Sequence, residues 1–148
     1  MDDHDYMRIA IDEAARGLAE GGVPVGAALV ADDRVLGSGH NRRVQQDSAI
    51  RHGETDCLEN IGRLPASVYR RATMYTTLSP CDMCTGAILL YGIPRVVIGE
   101  NETFLGGEDY LRSRGVELVN LDLPECKALM AEFIARHPEV WNEDIGES

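Results

Sequence analysis

The sequence predicts an α/β fold. Helix-like and strand-like patterns alternate along the chain with short punctuating segments between them, the ordering of an α/β domain. Several runs combine strand length with β-branched and apolar composition, among them Val25 to Ala31 and Arg95 to Gly99. The 148 residues, 44% of them hydrophobic, suit one domain over residues 1–148 with room for a core. No repeat, low-complexity tract or long linker divides the chain.

Each element has a local reason. Met7, Ile11, Ala14, Ala15 and Leu18 follow helical spacing, and Gly21-Gly22 stops the run. Val25 to Ala31 reads as a buried strand, Asp32-Asp33 as a turn and Val35 to His40 as a second strand, which together predict a hairpin. Asn41 to Arg51 reads as a polar loop, and His52 to Asn60 as a helix that ends near Gly62. Thr73 to Leu78 is a third strand, and Cys81 to Tyr91 a helix closed by Gly92. Arg95 to Gly99 is a fourth strand; a glycine-containing loop and a short helix then lead to a fifth, Glu117 to Leu121. The last helix starts near Asp122, with Pro124 in its first turn and Glu125 as a partial capping box. Its apolar face is Cys126, Leu129, Met130, Phe133 and Ile134, and Pro138 marks the start of a tail that holds Trp141, Asp144 and Ile145.

Charge and cysteine usage narrow the classes of function. A formal net charge of −11 opposes binding to polyanions, because nucleic-acid affinity depends on Lys and Arg neutralising phosphates. The basic residues come no denser than the pairs Arg42-Arg43 and Arg70-Arg71. No apolar run approaches a membrane span, and the acidic start Met1-Asp2-Asp3-His4-Asp5 lacks the apolar region of a signal peptide. The expectation is a cytoplasmic protein with no membrane and no nucleic-acid partner. Its four cysteines, Cys57, Cys81, Cys84 and Cys126, are then free thiols.

The chemistry concentrates in His52-Gly53-Glu54 and Pro80-Cys81-Asp82-Met83-Cys84. One imidazole and two thiols supply three ligands to a tetrahedral zinc ion and leave the fourth position open, as catalytic sites do. Cys81 and Cys84, at i and i+3, can face one point, and a helix N-terminus stabilises their thiolates. Glu54, offset two residues from His52, points elsewhere and is placed to move protons. Cys57 and Cys126 lack partners at ligand spacing and read as core thiols; His4 and His137 read as surface histidines.

The two segments resemble the H-x-E…P-C-x-x-C signature of zinc deaminases. The likeness extends further, to the fungal-type (yeast-like) cytosine deaminases within the zinc-dependent cytidine/deoxycytidylate deaminase superfamily. It is carried by Gly21-Gly22-Val23-Pro24, Gly39-His40-Asn41, the run Tyr75 to Ile88, Tyr91-Gly92-Ile93-Pro94-Arg95, Gly99-Glu100-Asn101 and Trp141 to Gly146. This resemblance implies a three-layer α/β/α fold with a central five-stranded mixed sheet, one Zn2+ per subunit and a homodimer. It implies that Asn41 and the backbone N–H of Gly53 hold a ring carbonyl and that Glu54 shuttles protons. Asp144 would accept from the exocyclic amine, and the Ser79 carbonyl would assist the amine's departure. Phe104, Trp141 and Ile145 would close over the base, with tail residues 138–148 as the cover.

The implied reaction is hydrolytic deamination of a free aminopyrimidine, cytosine or a 5-substituted cytosine, to uracil and ammonia. Isocytosine presents the same amine–carbon–nitrogen–carbonyl edge when flipped, so isocytosine, or a triazine or guanine-like base, is the alternative. A tRNA adenosine deaminase shares the zinc signature but calls for a basic face. Where the yeast-type pattern has Ile-Ser-Thr after the glutamate, this chain has Thr55-Asp56-Cys57, and Leu105-Gly106-Gly107 replaces a more basic stretch. Asp56 reads as a solvent-facing helix acid, with support of His52 as the other reading.

Overall fold

The computed structural model describes residues 1–147; Ser148, the end of the expected tail, lies outside the described residues. Its elements run α1 (Asp3–Ala19), β1 (Gly26–Ala31), β2 (Arg34–His40), α2 (Arg43–Gln46), α3 (Gly53–Ile61), α4 (Ala66–Tyr69), β3 (Ala72–Thr76), α5 (Asp82–Leu90), β4 (Arg95–Ile98), α6 (Glu108–Ser113), β5 (Glu117–Asn120), α7 (Pro124–Arg136) and α8 (Pro138–Asp144). Among the described residues the strands form a five-stranded sheet in the order β2-β1-β3-β4-β5. β1 is antiparallel to β2 and β3, whereas β3, β4 and β5 run parallel, so the sheet is mixed as expected.

Local chemistry sets the ends of these elements. Asp2 and Asp5 cap α1 reciprocally, each side chain accepting the other's backbone N–H at 2.9 Å. α1 and α5 both end in a Schellman motif: Gly21 (φ +88°) and Gly92 (φ +67°) take the left-handed conformation that L side chains resist. Asp32 and Asp33, at φ 53° and 57°, turn the β1–β2 hairpin.

β1 is buried along its whole length, and its alternation feeds two cores. Ala27, Leu29 and Ala31 join Met74, Val96 and Ile98 against Cys57 of α3, Ile88 of α5 and Leu111 of α6. Ala28 and Val30 join Tyr75 and Val97 against Tyr6, Met7, Ala10 and Ile11 of α1 and Cys126 of α7. The sheet is thus sandwiched between helical layers. A third cluster, Val23, Val25, Leu78, Met130, Phe133 and Trp141, seats α8 at the end of the sheet where β3 and β4 finish.

Three sequence expectations need correction. The last helix has no capping box: Leu123 is its N-cap, with no side-chain hydrogen bond, and Glu125 instead pairs with both Arg8 amino groups at 2.8 and 2.6 Å. The segments around Arg43 and Pro138 form short helices where the sequence suggested loop and tail, and a further short helix lies around Ala66. Asp56 faces inward and is fully buried, because its partners are two arginines and a strand end.

Candidate active site

Two helix N-termini converge on one point. His52 is the N-cap of α3 and Cys81 the N-cap of α5, so each sits where backbone N–H groups and the positive helix end face outward. The turn before α3 is braced by Thr55, whose hydroxyl accepts the His52 N–H at 2.9 Å and donates to the Ile50 carbonyl. Nδ1 of His52 lies 3.4 Å from Sγ of Cys81 and 3.9 Å from Sγ of Cys84. The three donor atoms lie within 4.8 Å of one another, a spacing that could hold one metal ion. Donor chemistry agrees: two sulfurs and one ring nitrogen suit zinc. Cys57 and Cys126 are buried in the two cores, away from this point, and His4 and His137 are on the surface.

Electrostatics differentiate the groups. The Cys81 thiol, hydrogen-bonded by Cys84 and also by His52, falls to about 4 despite burial that opposes ionisation; Cys84 is driven up by its thiolate neighbour and by burial. Burial disfavours a charged His52, yet the Cys81 thiolate and Asp144 outweigh it and lift the ring to about 9. Glu54 is fully enclosed, and burial first, then the Cys81 charge, raises its carboxyl to about 7.

Around these groups lies a cavity of about 20 Å³, lined by Val25, Asn41, His52, Glu54, Leu78, Ser79, Cys81, Phe104, Trp141, Asp144 and Ile145. The lining therefore includes every expected site residue except two. Cys84 stands buried behind Cys81, and Gly53, the first residue of α3, packs against Val25 beside the lining. Asn41 is buried, its Nδ2 donating to Asp144 Oδ2 at 2.7 Å and its Oδ1 accepting the Arg43 N–H at 3.0 Å. Ser79 is pinned: its hydroxyl donates to Glu108 at 2.7 Å and accepts the Gly106 N–H at 2.9 Å. Phe104 and Trp141 meet edge to face at 6.1 Å between ring centroids.

Sequence reasoning missed the apolar wall of Val25 and Leu78, which follow strand signals and were absorbed by them. It missed Glu108, buried in α6 to hold Ser79 and Asn101. It also missed His40, whose ring nitrogens meet Glu13 at 2.9 Å and Glu20 at 2.8 Å just before Asn41. Glu13, among Ala10, Ala14 and Gly17 on α1, and Glu20, the C-cap of that helix two turns on, were the available signal.

Residues 1–100 match the family model for the cytidine and deoxycytidylate deaminase zinc-binding region. The chain belongs to the cytidine and deoxycytidylate deaminase family. This zinc-dependent deaminase is 57% identical to a cytosine deaminase of Candida albicans, over 99% of its own length and 98% of the relative's. It is 35% identical to a tRNA-specific adenosine deaminase of Streptococcus pyogenes, over 72% of its length and 67% of that protein's. A solved structure from studies of A-to-I editing by tRNA:A34 deaminases superposes with TM-score 0.71 at 26% identity, covering 85% of this deaminase and 99% of that chain. A guanine deaminase from Nitrosomonas europaea shares the fold alone, with TM-score 0.67 at 22% identity over 88% and 83% of the two chains. Among the described residues, no helix of this deaminase is long and apolar enough to cross a membrane.

Proposed function

We propose that this protein deaminates free cytosine, or a 5-substituted cytosine, to uracil and ammonia. The reading is carried by the match to the Candida albicans cytosine deaminase along nearly the whole of both chains, tail included. In that tail Trp141, Asp144 and Ile145 line the cavity. A tail placed there would obstruct a base still attached to ribose, and the −11 charge adds no affinity for a phosphate chain. Both points weigh against a tRNA substrate.

His52, Cys81 and Cys84 would hold one zinc ion. When bound there, zinc supplies the Lewis acidity that lets a water ionise near neutral pH. The protein's own residues do the rest. Asn41 and the Gly53 N–H donate to the ring carbonyl of the base and so orient it. Asp144 accepts a hydrogen bond from the amine, and Trp141, Phe104 and Ile145 exclude bulk water. Glu54, buried beside the zinc-ligating residues, takes a proton from the attacking water and gives it to the ring nitrogen beside the amine-bearing carbon. A C–O bond forms as the C=N bond opens. The second proton of the water then passes to the amine, the C–N bond breaks, and ammonia leaves past the Ser79 carbonyl.

We also place the protein in a homodimer. Leu90, Tyr91 and Tyr110 are exposed apolar side chains, and beside Leu90 and Tyr91 a groove of about 690 Å³ runs between α3, α4 and α5, lined in part by Leu58, Leu64 and Tyr69. Four free cysteines, with no disulfide among the described residues, fit a cytoplasmic setting.

Ammonia release from cytosine, isocytosine, cytidine, guanine and a tRNA anticodon arm tests the substrate. Cytosine is expected to give the highest kcat/KM; a preference for isocytosine or the tRNA arm would overturn the assignment. Sedimentation of wild type and Leu90→Asp tests the dimer, which the variant should dissociate.

A further inference from the structure

The stretch from Asn41 to Arg51 begins with the amide assigned to the base and runs into His52. Whatever fixes its two ends fixes both groups, and Asp56, one turn into α3, touches both ends. Its side chain is fully buried. Oδ1 accepts from Nε of Arg51 at 2.7 Å. Oδ2 accepts from Nε of Arg42 at 3.0 Å, from the backbone N–H of His40 at 3.0 Å and from Nδ2 of Asn60 at 3.2 Å. Asp56 therefore holds the residue on each side of Asn41 and the residue before His52. The neck is closed by a backbone bond as well, the Arg42 N–H donating to the Arg51 carbonyl at 2.9 Å.

The physical logic is that of a buried anion. A carboxylate taken from water persists only when paired and hydrogen-bonded, and here two guanidinium groups and two further N–H donors fill its lone pairs. Gly39 makes the close approach possible: a Cβ there would stand 2.6 Å from Asp56 Oδ2 and 2.6 Å from the Cys57 nitrogen. Losing one oxygen of Asp56 would release one arginine and with it one end of the stretch.

We propose that Asp56 is a positioning residue, an anionic clamp that draws Arg42 and Arg51 together and thereby sets Asn41 and His52 for the reaction. The proposal rests on the reading of Asn41 as a base-binding group and adds a residue that never touches the base.

The test uses the full-length, zinc-loaded enzyme and the variants Asp56→Asn and Arg51→Gln. Both should unfold cooperatively and retain one zinc per chain. In each, kcat/KM for cytosine should fall about tenfold to a hundredfold, mostly through KM, the scale expected when a positioned group moves by a fraction of an ångström. Backbone amide exchange over residues 41–51 should accelerate about tenfold or more. Asn41→Ala should cost less in the Asp56→Asn background than in wild type, because the amide is already misplaced there. Multiplicative effects, or an Asp56→Asn enzyme within about twofold of wild type with unchanged exchange, would overturn the clamp. If Asp56→Asn fails to fold, Arg51→Gln gives the same readouts and decides. If Asn41→Ala leaves KM unchanged, the base-binding reading fails, and amide exchange alone then decides the clamp.

Discussion

Asp144 Oδ1 lies 3.4 Å from Nε2 of His52, on the side of the ring opposite the nitrogen that faces Cys81 and Cys84. The other oxygen of Asp144 accepts from Asn41 at 2.7 Å. One carboxylate from the C-terminal helix thus joins the ring assigned to the metal and the amide assigned to the base. A ligating imidazole held at its second nitrogen by a carboxylate keeps its tautomer and orientation. Closure of the tail and readiness of the site are therefore coupled.

The first prediction follows from that bridge. Asp144→Ala should lower kcat/KM by about 10- to 100-fold or more and weaken zinc retention against a chelator by a similar factor. Steady-state kinetics and zinc competition read the two effects separately. If zinc retention is unchanged while activity falls, Asp144 serves the base alone.

Glu54 gives a prediction with a defined pH window. Its carboxyl is raised from the usual carboxylate range to about 7, by burial first and the Cys81 charge second. A raised acid favours the folded state while protonated and opposes it once ionised, so stability is lost as pH climbs from about 4.5 to 7. In metal-stripped protein, Glu54→Gln should be more stable than wild type above pH 7 by about 3 kcal/mol, and the gain should vanish near pH 4.5. Urea unfolding at both pH values measures it. The zinc-loaded variant should keep its metal and lose turnover by about 10²- to 10⁴-fold.

Much of this site was legible because it is local in sequence. His52-Gly53-Glu54 and the Cys81/Cys84 pair sit at helix starts whose geometry follows from spacing, and the helix stops at Gly21 and Gly92 need only a positive φ. Asp56 was misread because its burial depends on arginines 14 and 5 residues away along the chain and on the glycine of a neighbouring strand. No periodicity encodes that. Glu108 and His40 escaped for the same reason: a charged residue in a short helix or at a strand end looks solvated until its partner arrives from elsewhere. Asn41, Trp141 and Asp144 were found through family likeness, not through any pattern of their own. The capping box expected at Glu125 failed because the N-cap is Leu123, which has no side-chain acceptor, and Glu125 is left to pair with Arg8 of α1.

The thiols should separate chemically. Hydrogen bonding from Cys84 and His52 brings Cys81 down to about 4, whereas burial pushes Cys57 far above the thiol range and Cys126 to about 12. Nucleophilic attack needs the thiolate. With zinc removed, iodoacetamide at pH 6 should alkylate the half-buried Cys81 and spare Cys57 and Cys126; with zinc restored, Cys81 should be protected. Peptide mass mapping distinguishes the sites, and equal labelling of Cys57 would contradict the packing of α3.

The tail makes the last prediction. Trp141 is 7% exposed, set between Phe104 and the cluster of Val25, Leu78 and Phe133, and it roofs a cavity of about 20 Å³. That space suits roughly one water. A pyrimidine ring is several times larger, so α8 must swing or its side chains repack before a base enters. Trp141→Ala removes the roof and its packing together. The variant should lose about 3 kcal/mol of stability, as large aromatic truncations in a packed cluster do. Its KM for cytosine should rise about tenfold while kcat changes by less than about threefold, because the lost contacts hold ground state and transition state alike. Glu54→Gln should show the opposite split, a collapsed kcat with KM nearly kept. Should Trp141→Ala instead abolish kcat at saturating cytosine with zinc still bound, the roof would be excluding water from the proton transfer at Glu54, and its part in catalysis would be larger than that of a cover.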